Sequence, residues 1–132
     1  VGVIVDSDRD MEFFVGALED ALPNYSIQHY SSKQPSLSEK LIFDNDGQGV
    51  ATVLNRKSCK GLEFDIVFLP ELQNYNIDDD SETTFKMNMY VMCSRARAEL
   101  VLMMTKGHNK DAPIQALLPV DESGLIEIKH LT

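Results

Sequence analysis

Lys60-Gly61-Leu62-Glu63-Phe64-Asp65-Ile66-Val67-Phe68-Leu69-Pro70 is the stretch on which the reading of the fold turns. From Asp65 the chain runs through four consecutive apolar residues, the pattern of a parallel strand buried on both faces, and Pro70 closes it. A strand hidden on both sides needs a layer above and a layer below, which α/β folds supply as helices. The flanking sequence provides them.

Upstream, Lys57 to Phe64 leads into this strand, and Gly49 to Leu54 is a β-branched strand fed by Leu41 to Phe43 and the turn signal Asn45-Asp46-Gly47, a strand or hairpin arm. Tyr25 to Tyr30 alternates as a half-buried strand does, and Ser31 to Lys40, with Pro35, reads as loop. At the start, Val1 to Val5 is a short strand ending in the helix-capping cluster Asp6-Ser7-Asp8. Met11, Phe14, Val15, Leu18 and Leu22 then form the stripe of an amphipathic helix that stops near Pro23. Downstream, Asn74 to Glu82 is an acidic loop, and Phe85, Met89, Met92, Cys93 and Ala96 mark a second helix whose Met-rich stripe is core. Leu100 to Met104 predicts another buried strand, Pro113 to Leu118 a weak helix and Leu125 to Ile128 a short strand. This alternation, without repeats, predicts an α/β sandwich with a mostly parallel sheet.

The 132 residues, 43% hydrophobic and 25% charged, suit one globular unit. A formal net charge of −9 excludes a protein that grips nucleic acid by overall charge, so such a partner must be met by a local patch. Cys59 and Cys93 are too few for a disulfide framework and have no metal-ligand spacing, which points to a reducing cytoplasm. No apolar stretch approaches the roughly 18 residues of a membrane span, so no membrane partner is expected. The chain enters a strand pattern at Val1 without an initiator Met, which predicts that it belongs to a longer protein. His29, His108 and His130 have no partner pattern, and Asp78-Asp79-Asp80 reads as a solvated loop because consecutive carboxylates cannot all face one ion. No metal site is assigned.

Two segments carry chemistry. In Asn55-Arg56-Lys57-Ser58-Cys59-Lys60-Gly61-Leu62-Glu63-Phe64, three cations and a glycine at the mouth of a sheet suit an anion; a solvated basic turn is the alternative. In Tyr90-Val91-Met92-Cys93-Ser94-Arg95-Ala96-Arg97, a helix ends in two arginines just before a strand, where an arginine can reach a phosphate or simply cap the helix.

In order and spacing together, the segment from Lys60 to Phe68 resembles motif V, and that from Tyr90 to Arg97 resembles motif VI, of UvrD/Rep-type superfamily 1 DNA helicases. Val1 to Leu22 is similar in layout to motif IV of that family. The resemblance implies that residues 1–132 form a single C-terminal RecA-like domain, a P-loop NTPase-type three-layer sandwich with a mostly parallel sheet and no P-loop of its own. It also implies that the accessory insertion of larger members is reduced to about residues 23–50. By the same resemblance Arg95 is an arginine finger and hence catalytic. Gly61, Glu63, Lys60 and Arg95 meet ATP, whose Mg²⁺ is held mainly by an N-terminal RecA-like domain outside this chain. Asn55, Arg56, Lys57 and Ser58 meet single-stranded DNA, Asn55 and Lys57 standing where a threonine and a histidine are usual.

There are departures. Met92-Cys93-Ser94 replaces alanine, leucine and threonine, which are packing-type changes. Asp6 stands where motif IV commonly carries a phosphate-directed arginine, so either Arg9 substitutes or that contact is missing. Two rivals follow: a degenerate helicase-like domain that binds protein, and a receiver-like signalling domain built on Asp6 and Asp8, against which stands the lack of a phosphorylatable aspartate after the third strand. On the helicase reading the isolated chain lacks the element that cradles the β- and γ-phosphates. It is expected to bind ATP more weakly than micromolar and not to hydrolyse it, which calorimetry and a phosphate-release assay on these 132 residues would check.

Overall fold

Gly2–Val5 forms the first strand, β1, buried at all four positions. It belongs to a computed structural model that describes residues 1–31, 33, 41–42, 47–75, 82–105, 117–119, 121–129 and 131. The chain then forms helix α1 (Asp8–Ala21), strands β2 (Ser26–Tyr30), β3 (Val50–Asn55) and β4 (Phe64–Leu69), helix α2 (Glu82–Cys93) and strand β5 (Ala96–Leu102). Ser7 caps α1, its hydroxyl accepting from the Asp10 amide, and Asp8 and Asp10 lie in the first turn, where the helix dipole favours carboxylates.

The five strands pair in the order β2-β3-β1-β4-β5, and every pairing is parallel. Because side chains alternate across a strand, the sheet has two apolar faces. Val3, Val5 and Val53 point to one, where Met11 is buried and Phe14, Val15, Leu18 and Phe68 pack around it. Ile4, Leu54, Val67 and Leu69 point to the other, where Phe85 and Met92 of α2 join Cys59, Leu72 and Tyr75. The result is the expected three-layer α/β sandwich, an arrangement consistent with a RecA-like domain, with a sheet that is parallel throughout rather than mostly.

Three local expectations change. β4 is buried on the α2 side, but Ile66 and Phe68 are only half-buried on the other, where α1 packs chiefly over β2 and β3 and Phe68 is the β4 side chain that joins the Met11 cluster. β5 begins earlier than the predicted Leu100 to Met104, since Ala96 already pairs with Phe64; as the edge strand it leaves Leu100 38% exposed instead of buried. Leu125 to Ile128 is not a strand: it follows a 3-10 turn at Asp121–Ser123, and Leu125 is 78% exposed. Ser26–Tyr30, within the stretch 23–50, is the strand that the alternation of Tyr25 to Tyr30 predicts, and it pairs in parallel with β3. The predicted turn at Asn45-Asp46 and most of the predicted helix at Pro113 to Leu118 lie outside the described residues; Leu117 and Leu118 pack against the α2-side cluster. Among the described residues no helix is long and apolar enough to cross a membrane.

The position of β4 depends on a glycine. A β-carbon at Gly2 would lie 2.5 Å from the ring of Phe64, which is 4% exposed and cannot swing into solvent. Gly2→Ala is therefore expected to destabilise the domain by about 1–3 kcal/mol, the usual cost of overpacking a filled core. In urea unfolding the midpoint would fall with little change in slope.

Candidate functional site

Parallel strands all begin at one edge of a sheet, so the segment between β3 and β4 must return from the carboxyl edge to the amino edge. It does so in eight residues, 56–63, on the α2 side, with Cys59 fully buried against the same cluster as Ile4 and Leu54. Two tight turns shape it, Ser58 N–H donating to Asn55 O at 3.0 Å and Leu62 N–H to Cys59 O at 3.2 Å. The basic segment is therefore split. Arg56, Lys57 and Lys60 do not gather at one mouth of the sheet: the first two stay at the carboxyl end of β3, and Lys60 is carried toward the start of β4.

At the amino edge the two motif-bearing segments meet. The Phe64 amide donates to Arg95 O at 2.8 Å, placing Glu63 beside the end of α2. Lys60, Gly61 and Glu63 are exposed, and neither Lys60 nor Glu63 has an ion-pair partner among the described residues. Gly61 has φ +84°, and a β-carbon there would meet nothing within 4 Å, so backbone conformation rather than space calls for glycine.

The two arginines differ. Arg97 forms an exposed ion pair with Asp65 at 2.7 Å, clamping β5 to β4. Arg95 is half-buried; its Nε donates to Val91 O and its Nη2 to Ser94 Oγ, each at 3.0 Å. It thus caps the carboxyl end of α2, but no carboxylate within 4.0 Å neutralises it among the described residues. Burial pushes the Cys59 thiol up, opposed by the charge of nearby Arg95, and burial also raises Cys93, so both are poor nucleophiles. Beside Arg95, the outward side of α2 leaves an open apolar groove lined by Thr83, Lys86, Met87, Tyr90 and Val91, with Tyr90 75% exposed.

At the carboxyl edge most of the candidate strand-binding residues are engaged internally. Asn55 is buried and donates to Asp8; Ser58 is buried and donates to Asn55 Oδ1 at 2.7 Å. Arg56 Nε lies 3.2 Å from Asp6 Oδ1. Of the four, Lys57 is the exposed one, without an ion pair among the described residues. Arg9 is exposed.

Two features escaped the sequence reading. Tyr75 is buried with its hydroxyl directed to Ile4 O at 3.4 Å, and burial pushes its phenol far above the ordinary value. Beyond β4, Glu71 adopts φ 55°, an uncommon conformation for a non-glycine residue, and its carboxylate bonds to buried Gln73 and to Thr105 Oγ1. Pro70 alone hinted at a special turn there.

No family model matches the chain, and no curated protein matches it. Among solved structures it is similar to the C-terminal domain of a possible DNA helicase from Lactobacillus plantarum WCFS1, at 22% sequence identity over 79% of this chain and 73% of that one, with a TM-score of 0.34.

Asp8 gives a pH test of the carboxyl edge. Hydrogen bonds from Asn55 and then Lys33 hold its carboxyl below the ordinary 3.8. A depressed carboxylate adds stability above its unfolded pKa, and that stability is lost as pH falls through the folded value. Asp8→Asn should lower the urea midpoint at neutral pH, and its difference from wild type should shrink as pH falls below the ordinary carboxylate value of 3.8.

Proposed function

We propose that this chain is the second motor domain of an ATP-dependent DNA helicase or translocase of the UvrD/Rep type. The observation that carries the reading is the Phe64–Arg95 backbone hydrogen bond at 2.8 Å. Through it Lys60, Gly61, Glu63 and Arg95, drawn from segments about thirty residues apart, share the amino edge of β4 and β5. An exposed lysine, a guanidinium with no neighbouring carboxylate among the described residues and a glycine in the left-handed region suit a polyanion, and an exposed carboxylate can accept from a ribose hydroxyl.

On this reading Arg95 is catalytic and stabilises charge that develops on the transferred phosphoryl group. Val91 O and Ser94 Oγ fix its side chain on the helix end, so little ordering remains for the reaction. Arg97, already held by Asp65, is not the finger. Bound Mg²⁺ would neutralise the β- and γ-phosphates, and on the family resemblance its ligands would come mainly from the N-terminal RecA-like domain across the nucleotide. The apolar groove on α2 adjoins Arg95 and is the surface on which that domain would pack.

In the intact protein, single-strand-stimulated ATP hydrolysis should fall by a factor of about 10³ in Arg95→Ala, with the protein still folded and thermal unfolding lowered only slightly by loss of the α2 cap. Arg97→Ala should lose far less. Turnover indifferent to Arg95 would remove the finger and leave the class; no turnover in the wild type would favour the degenerate protein-binding domain.

A further inference from the structure

The carboxyl end of β3 holds four residues proposed above to meet single-stranded DNA, yet one of its two cations is already matched. Arg56 Nε sits 3.2 Å from Asp6 Oδ1, and the two side chains are 27% and 25% exposed. The backbone leaves Arg56 little freedom to move away: its N–H donates to Val5 O at 2.9 Å, and its carbonyl accepts from the Cys59 thiol. Asp6 Oδ1 is buried and makes no hydrogen bond among the described residues, so its compensation is ionic and comes from Arg56. The other acids at this edge are differently occupied, Asp8 by Asn55 and Lys33, and Asp10 by Ser7. Of the two cations within residues 55–58, Lys57 is the one left facing solvent.

We infer that Asp6 is a built-in counter-ion that withholds Arg56 from nucleic acid, so that a phosphate of the strand must displace the Asp6 carboxylate before Arg56 can bind it. The inference rests on the strand-binding assignment of residues 55–58. A cation that stays paired within the protein neutralises no phosphate, so it releases none of the strand's condensed counter-ions and contributes nothing to the salt dependence of binding. In the resting pair the patch carries one effective positive charge from Lys57, not two. In a chain of net charge −9, that difference decides whether the domain holds a strand on its own.

The test uses the intact protein carrying this chain and a fluorescein-labelled single-stranded oligothymidylate, with anisotropy titrations from about 50 to 300 mM salt. Asp6→Asn keeps the side-chain volume and removes the charge. It should tighten binding about 3- to 10-fold at the low-salt end and steepen the logarithmic salt slope by about 0.7, the release expected for one added phosphate contact on a single strand. Asp6→Asn with Arg56→Gln should return to within about twofold of wild type, because it deletes a pair whose net charge is zero. Wild-type affinity and slope in a folded Asp6→Asn protein would overturn the inference. So would a double variant that loses as much binding as Lys57→Gln, for then Arg56 already contacts the strand despite Asp6. The double variant also serves if Asp6→Asn alone fails to fold, with circular dichroism melts reporting which proteins are native. Lys57→Gln separates the two levels: weaker binding there without gain in Asp6→Asn overturns the counter-ion alone, and unchanged binding in Lys57→Gln overturns the strand assignment and the inference with it.

Discussion

Every strand of a parallel sheet starts at the same edge, so the chain that leaves β3 at Asn55 must be carried back before Phe64 can pair with the residues after α2. Here the return takes eight residues. A helix of that length would advance only about 12 Å, against roughly 20 Å for a six-residue strand, so the segment crosses the sheet as open turns instead of a covering helix. Cys59 is its anchor, buried among Ile4 and Leu54. The rest follows from that crossing: one end of the segment is fixed at the carboxyl edge beside Asp6, the other at the amino edge beside Arg95, and a single stretch of sequence serves two surfaces.

Burial and charge divide the labour at those surfaces. At the amino edge the charged groups face outward and Arg95 has its geometry fixed by a carbonyl and a hydroxyl, which leave its charge intact. At the carboxyl edge the polar groups satisfy one another. Asn55 and Ser58, both buried, would be costly to leave without partners, and their bonds to Asp8 and to each other remove that cost while holding the start of α1 against the end of β3. The same residues that give the edge its shape are thereby withdrawn from external contact.

Much of the layering was legible because it rests on period. The β-branched run in Val1 to Val5, the stripe from Met11 to Leu18 and the apolar run from Ile66 to Leu69 each follow from local geometry. What the sequence hid were relations between distant residues. Asp6 looked like a repulsive carboxylate in a phosphate site, because nothing local says that Arg56, fifty residues on, lies 3.2 Å away. Nothing local says that Arg97 is held by Asp65, which the pairing of β4 with β5 brings beside it. Apolar composition also overstated burial at β5: Leu100 to Met104 is as hydrophobic as a central strand, and only the strand order reveals it as an edge. Glu71 could not be foreseen, since its left-handed backbone is held by Gln73 and Thr105, the latter from beyond β5.

The edge position of β5 bears on how the molecule behaves in company. Among the described residues its outer side has no neighbouring strand, and an open row of amides and carbonyls is a template on which another chain can add. The sequence there alternates charge with small residues, Ala96-Arg97-Ala98-Glu99, before the apolar Leu100. A strand approaching that half would have to strip water from Arg97 and Glu99, which discourages pairing. The ion pair from Arg97 to Asp65 thus does more than clamp two strands: it keeps a charged, hydrated guard on the part of the edge nearest the start of β4, and leaves the apolar half, Leu100 to Leu102, as the place where self-association would begin.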